Sequence, residues 1–450
     1  MKSFISLFVI SSLAALCSVA EAKSVTGDQV LVLLDNLAQK DSYSRLWETL
    51  QDRDFKLDFK SAVDGETSLY YFGRPLYQHI IHFAPTTASL SKHKNLGNVE
   101  LVKFVNGGGN LLVGVSSDAS NGVRELASEF DIEFEPAGTR VFDASSTNSN
   151  ANDKDSITTS QVVAPQSIIP KDFSSAPIVY SGVGLTVGSL PLVNRVLSAE
   201  DTAFVAERFG KNKPSKNPVD LIGAMQTRNS ARATFVGSLD IFSDALFSSP
   251  VEKVQKDGDV VKFEKSGNEE FVSELTKWTF QEKSVLKVIS HYHHKENHTE
   301  QPEFYRVKDD MVYTLEISEY ENDHWVPFKA NDVQLEIIML DPYIRTTLKQ
   351  VPVAPEHHYG RFKAHVQLPD VYGVFTFRVN YKRAGLTYLS AEDVVAIRPF
   401  RHNEYPRFLT AAYPYYASVG SMIVGFLVFS AVWLSTWGGR NLDVSEKKTN

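Results

Sequence analysis

The chain of 450 residues contains a single cysteine, Cys17. One cysteine excludes an internal disulfide and a zinc site built on cysteine ligands. Taken alone, that scarcity fits a reducing compartment. Positive charge is also in short supply, with 46 Lys and Arg against 54 Asp and Glu and a formal net charge of −8. This balance argues against nucleic acid as a partner, because such binders present a basic patch or stripe. No internal repeat runs through the chain, and no Gly-x-Ser-x-Gly elbow marks a hydrolase nucleophile. Gly107-Gly108-Gly109 precedes an apolar run, whereas a phosphate loop follows a strand and opens a helix. The triplet reads instead as a helix end in left-handed backbone. Gly182-Val183-Gly184 lacks the third glycine of the dinucleotide fingerprint. What is present is ordinary for a globular protein: 43% hydrophobic and 22% charged residues. Disordered, collagen-like and coiled-coil chains are excluded, and the length suits roughly two or three domains.

The two ends carry targeting signals. Lys2 opens residues 1–22, Ser3 to Ala20 is uncharged, and Ala20-Glu21-Ala22 has the small residues of a cleavage site. The segment reads as a secretory signal peptide; the competing reading is an uncleaved anchor. Phe408 to Gly439 contains no Asp, Glu, Lys, Arg or His. A bilayer core needs about 20 apolar residues as helix, so residues 413–437 are expected to span a membrane. Tyr413, Tyr415 and Tyr416 at one edge and Trp433 and Trp437 at the other match interfacial aromatic belts. A signal followed by one span predicts a single-pass type I protein, with its bulk outside the cytosol and a cytosolic tail at 438–450. Lys447 and Lys448 in that tail resemble a dilysine retrieval signal of the endoplasmic reticulum. Ala417, Ser421 and Gly425 recur every four residues, a small-residue ridge against which another helix can pack. Arg398, Arg401, His402 and Arg407 flank the span and suit contact with membrane lipid.

Residues 23–283 alternate strand and helix patterns. Val30–Leu34 is a continuous apolar run, Asp41-Ser42 is placed to cap a helix striped by Tyr43, Leu46, Trp47 and Leu50, and Phe55, Leu57 and Phe59 alternate. His79–Phe83, Val99–Val105, Leu111–Val115, Val123–Phe130 and Ile132–Phe134 continue the series. This order predicts an α/β domain with an open, mostly parallel sheet. Residues 144–160 are rich in Ser, Asn, Asp and Thr and read as a mobile loop. From 284 to 398 the strands alternate closely without helical stripes, which predicts a β-sandwich. Residues 399–412 connect it to the membrane.

Ligands of open α/β sheets sit beyond the carboxyl ends of the strands. Those ends offer Asp35, Asn36, Ser116, Ser117, Asp118, Ser238 and Asp240 as a polar crevice. The alternative reading is helix capping and turn formation by the same residue types. A Ser-His-Asp triad with His79 or His82 has no motif behind it. His291, His293, His294 and His298 form a dense run, read as a solvated loop rather than a metal site. Asn297-His298-Thr299 is an acceptor sequon for N-glycosylation.

Several longer motifs point to a known family. They are Val30-Leu31-Val32-Leu33-Leu34-Asp35-Asn36, Phe104-Val105-Asn106-Gly107-Gly108-Gly109, and Gly237-Ser238-Leu239-Asp240-Ile241-Phe242-Ser243-Asp244. Leu368-Pro369-Asp370-Val371-Tyr372-Gly373-Val374-Phe375 and Ala412-Tyr413-Pro414-Tyr415-Tyr416-Ala417-Ser418 follow in order. The chain resembles the 48 kDa subunits of the eukaryotic oligosaccharyltransferase complex. That resemblance implies a glutamine-amidotransferase-like domain, a β-sandwich and a membrane anchor. It implies a non-catalytic subunit supporting assembly of a complex that moves a preassembled glycan from dolichyl diphosphate to Asn-x-Ser/Thr. The catalytic groups and metal belong to a separate multispanning subunit, so no cofactor is expected here. Ribophorin II-like, ribophorin I-like and DAD-type subunits are the implied neighbours. Two other readings stay open: a lumenal binding module for lipid-linked oligosaccharide or nascent chain, and a serine-based hydrolase. Amidotransferases use a cysteine nucleophile, and removal of residues 1–22 leaves no cysteine.

Overall fold

The computed structural model describes residues 23–63, 67–143, 156–174, 176–207, 219–254, 260–405 and 410–437. The expected signal peptide with Cys17, most of the 144–160 loop, Arg407, and the tail with Lys447 and Lys448 lie outside the described residues.

The first part is α/β, as expected. Parallel strands Lys56–Ser61, Gln29–Leu34, His79–Phe83, Asn110–Gly114 and Arg232–Val236 lie side by side in that order. Beyond Arg232–Val236 the same sheet gains an antiparallel wing through Asp220–Gln226, Val193–Ser198 and Gln161–Val162. The apolar run Val30–Leu34 is fully buried because both faces of its strand are covered. Val30, Val32 and Leu34 enter one core, and Leu31 and Leu33 enter the other. The glycine triplet ends the helix Asn98–Asn106, with Gly108 at φ +101°. Gly109 then passes so close to Phe104 that a Cβ would lie 2.3 Å from its ring.

The helix expected after Asp41-Ser42 begins later. A 3-10 turn, Leu37–Tyr43, comes first, and Asn36 caps it by accepting from the Ala38 amide at 3.0 Å. The α-helix is Ser44–Gln51, and its N-terminus is held by a distant residue. The Asp244 carboxylate accepts from the Ser44 amide at 2.9 Å, the Ser44 hydroxyl at 2.6 Å and the Arg45 amide at 3.0 Å. Side-chain capping of this kind is worth about 1–2 kcal/mol. Here it also ties two segments 200 residues apart.

The second part is a sandwich of two five-stranded sheets. One runs Lys283–Lys295, Asp310–Glu321, Gly360–Gln367, Lys349–Val351, with His324–Pro327 on the side of Asp310–Glu321. The other runs Phe304–Arg306, Leu389–Arg398, Gly373–Tyr381, Gln334–Met339, Asp341–Thr347. Alternate residues such as Leu315, Phe362, Phe375 and Phe377 fill the space between them. The histidine run corrects the sequence reading. His291, His293 and His294 belong to the strand Lys283–Lys295, not to a loop; only His298 lies beyond it. Their alternation with Tyr292 had the period of a strand, but the surrounding polarity masked it.

The two parts join at Arg232, which is fully buried. Its guanidinium donates to Trp278 O at 2.6 Å, Lys283 O at 2.9 Å and Ser284 O at 2.8 Å, and lies over the Trp278 ring. Trp278 Nε1 donates onward to Gly385 O of the sandwich at 2.8 Å. The helix Tyr413–Trp437 buries none of its residues within the chain, and 410–437 is long and apolar enough to cross a membrane.

Candidate functional site

Strand pairing sets the expected crevice residues along one edge of the parallel sheet. Asp35 follows Gln29–Leu34, Ser116 to Asp118 follow Asn110–Gly114, and Ser238 and Asp240 follow Arg232–Val236. Most have structural partners there. Asp35 accepts from the amides and hydroxyls of Thr86 and Thr87 at 2.5–3.2 Å, stapling two neighbouring loops. Asn36 is a cap. Ser117 Oγ lies 3.5 Å from Asp118 Oδ1. Ser238 is fully buried and donates to Ser181 O. The segment at Ser181 to Gly184 crosses directly over it: Val183 N donates to Gly237 O at 2.8 Å, and a Cβ on Gly182 would meet Gly237 O at 2.3 Å. Asp240 is exposed at the start of a short 3-10 turn, Asp240–Phe242.

Of the histidines considered for a triad, His82 lies near the crevice edge, paired with Leu33 and Val113 one residue before its strand ends, and His79 lies elsewhere. His79 opens its strand at the amino end, opposite to the crevice edge. Its Nε2 meets Gly27 O at 3.1 Å, and Asn110 Nδ2 meets its Nδ1 at 3.2 Å. The first contact requires a ring donor and the second a ring acceptor, so the ring is neutral. Burial holds the pKa of His79 and of His82 down to about 4. Among the described residues no hydrogen bond joins either ring to Ser116, Ser117 or Ser238.

The histidine strand is likewise built into the sandwich. His291 Nδ1 lies 2.8 Å from Asp393 Oδ2. His293 is buried between the Tyr305 hydroxyl at 2.8 Å and the Gln301 amide at 3.1 Å. His294 Nδ1 lies 2.8 Å from Lys295 O. No group of three His, Cys, Asp or Glu side chains is placed to hold a metal ion among the described residues.

A further opening lies away from the strand ends. A cleft of about 890 Å³ runs between the helix Asn268–Thr279 and the sandwich. Phe173 and Phe328 supply apolar wall, Glu270 and Glu321 supply negative charge, and Lys277, Lys283 and Lys329 supply positive charge. The Glu319 carboxyl is pushed up to about 7, first by burial and then by Glu321. A carboxyl raised from its ordinary 4.5 keeps, in the folded chain, a proton that the unfolded chain has released. Its stabilising contribution is complete below about pH 4.5 and is lost as pH rises through about 7. Glu319→Gln is therefore expected to flatten the fall in melting temperature between about pH 4.5 and 7. A slope identical to that of the parent chain would refute this assignment.

Comparison with known proteins follows this geometry. The family model described as OST48, N-terminal domain, matches residues 21–282, and the OST48 middle domain matches 293–437. A dolichyl-diphosphooligosaccharide–protein glycosyltransferase 48 kDa subunit of Arabidopsis thaliana is 38% identical over 96% of this chain and 98% of its own. The protein of the same name in Caenorhabditis elegans is 36% identical over 94% and 96%, and that of Danio rerio 36% over 95% and 95%. A match of this depth, running from the sheet through the sandwich to the apolar helix, means that the chain belongs to the family of the 48 kDa subunit of dolichyl-diphosphooligosaccharide–protein glycosyltransferase.

Proposed function

We propose that this chain is a non-catalytic, single-pass subunit of the oligosaccharyltransferase complex in the endoplasmic reticulum membrane. In this reading residues 23–283 and 284–398 are lumenal domains, 399–412 is the connector, and 438–450 is a cytosolic tail. The complex transfers a preassembled glycan from dolichyl diphosphate to Asn in Asn-x-Ser/Thr, and this subunit supports its assembly and stability. The near-full-length match to relatives named as that subunit carries the reading.

The apolar helix adds a physical reason for partners. None of its residues is buried by the rest of the chain, and an added Cβ at Gly425 meets nothing within 4 Å. The Ala417, Ser421 and Gly425 ridge suits close approach of a helix from a ribophorin-like, DAD-type or catalytic multispanning subunit. Depletion of the chain is expected to lower glycan occupancy and to shrink the complex. Purification in gentle detergent should recover those subunits with the parent chain and fewer of them with Gly425→Leu. Unchanged occupancy and complex size after depletion would defeat the proposal. A lumenal binding role for lipid-linked glycan or nascent chain is favoured only by the 890 Å³ cleft; photo-crosslinking confined to other subunits would exclude it.

Asn297 sits in an exposed turn after the strand Lys283–Lys295, where a transferase can reach it. We propose it as a glycan acceptor. Treatment with an amide-cleaving glycosidase should lower the mass of the parent chain and leave Asn297→Gln unmoved.

A further inference from the structure

We infer that the turn at Leu340 and the neighbouring Tyr372 form a second membrane contact, lying in the interfacial layer of the bilayer. The inference rests on the helix Tyr413–Trp437 crossing that bilayer. Leu340 is the first observation. Its side chain is 99% exposed and its φ is +65°. Left-handed backbone is costly for a residue with a Cβ, and exposing leucine to water is unfavourable too. Glycine or asparagine would avoid both costs at a hairpin tip. Two local penalties at one residue call for a compensating contact outside the chain.

Leu340 is not isolated. Gly373 packs over Met339, where an added Cβ would lie 2.6 Å from Sδ. This brings Tyr372, 67% exposed, beside the Leu340 turn, with Val374, 62% exposed, next along its strand. A tyrosine with an apolar body and polar tip suits the headgroup layer.

Register places this cluster at the end of the sandwich where the last strand stops. Ile338 pairs with Thr376, and Gly373 pairs with Ile397, the penultimate residue of the last strand. The chain leaves for the membrane from that same end. The Leu340 strand and the exit strand are two inter-strand steps apart, about 10 Å. Tyr405 packs at a tilt against Phe400 with ring centroids 5.4 Å apart, and the Arg306 guanidinium lies 5.0 Å from the Phe400 ring, so the connector begins fastened to the sandwich. Five peptide steps then separate Tyr405 from Thr410, a reach of at most about 18 Å. The apolar tip is therefore tethered within a short distance of the helix start.

The test uses the full chain, Cys17→Ser, reconstituted in phosphatidylcholine vesicles. Single cysteines at Leu340→Cys, Tyr372→Cys, Ile423→Cys and Val63→Cys are labelled with an environment-sensitive fluorophore. Val63 is an exposed residue of the α/β part, and Ile423 reports the span. Labels at 340 and 372 are expected to shift to shorter-wavelength emission and to be quenched by a spin label on the lipid headgroup. The label at 63 should respond only to aqueous iodide. Quenching at 423 by acyl-chain spin labels, with 340 and 372 behaving like 63, overturns the inference and leaves the span intact. Absence of lipid quenching at all sites overturns both. Leu340→Gly suits the left-handed turn, so it keeps the fold while removing the contact; it should reduce lipid quenching of the 372 label. Undiminished quenching there would show that Leu340 takes no part.

Discussion

Arg232→Ala is expected to destabilise the protein by about 3–5 kcal/mol, seen as a lower urea midpoint by tryptophan fluorescence. Burial pulls this guanidinium down to about 9, yet it remains charged at neutral pH. Among the described residues no carboxylate pairs with it; backbone carbonyls do. A hydrogen bond to a charged group is worth about 1.5–3 kcal/mol, and the substitution removes three such donors at once, although Trp278 O and Ser284 O keep the amides of Gln281 and Thr387. The cavity beside Trp278 adds to that loss. Arg232→Lys should recover only part of it, because an ammonium lacks the planar fork that reaches Trp278 O, Lys283 O and Ser284 O together. The junction of sheet and sandwich should open first, since Trp278 passes the connection on to Gly385. A loss under about 1 kcal/mol would mean that water replaces the guanidinium at those carbonyls.

Glu282→Ala should cost about 3–5 kcal/mol in the same assay. Arg53 Nη1 donates to Glu282 Oε1 at 2.7 Å, and both residues are buried. Burial holds Arg53 below the ordinary guanidinium range and pushes Glu282 up to about 7, although each opposes the shift in the other. The pair is thus expensive to bury but more expensive to break, because alanine strands the Arg53 charge. Arg53 keeps Thr276 Oγ1 at 2.9 Å and Thr49 O at 3.1 Å, which limits the damage without neutralising it. Glu282→Gln keeps an acceptor for Arg53 Nη1 but strands the same charge, so it is expected to recover only a minor part of the loss. A loss for Gln of less than about half that for Ala would show that the unfilled donor, rather than the stranded charge, sets the cost.

Much of the architecture was legible from spacing. Val30–Leu34 had the unbroken apolar run of a doubly covered strand, and Phe375, Phe377 and Val379 had the period of two that a sandwich face needs. The antiparallel wing was harder to read, because short strands such as Leu185–Val187 and Gln161–Val162 carry too few residues to show direction. The crevice residues fall along one edge of the parallel sheet, where most of their side chains are engaged in caps, staples and turns. The histidine strand was misread because polarity outweighed periodicity. Arg232 left a faint trace, a charge opening the otherwise apolar run Ala231–Gly237.

The amino-acid sequence by itself determined the features that depend on neighbours along the chain. The charge-free stretch from 408 to 439 is long and apolar enough for a membrane-crossing helix, and the alternation of runs points to a covered sheet followed by a sandwich. Even the scarcity of cysteine could be read as far as excluding internal disulfides. Only the tertiary structure decided which distant groups meet. Asp244 caps a helix 200 residues away, Arg232 clasps carbonyls on the far side of the junction, and Leu340 lands at the end of the sandwich where the last strand stops. The reason is physical: periodicity records whether a residue is buried, whereas the partner of a buried polar group is chosen only when the chain closes around it.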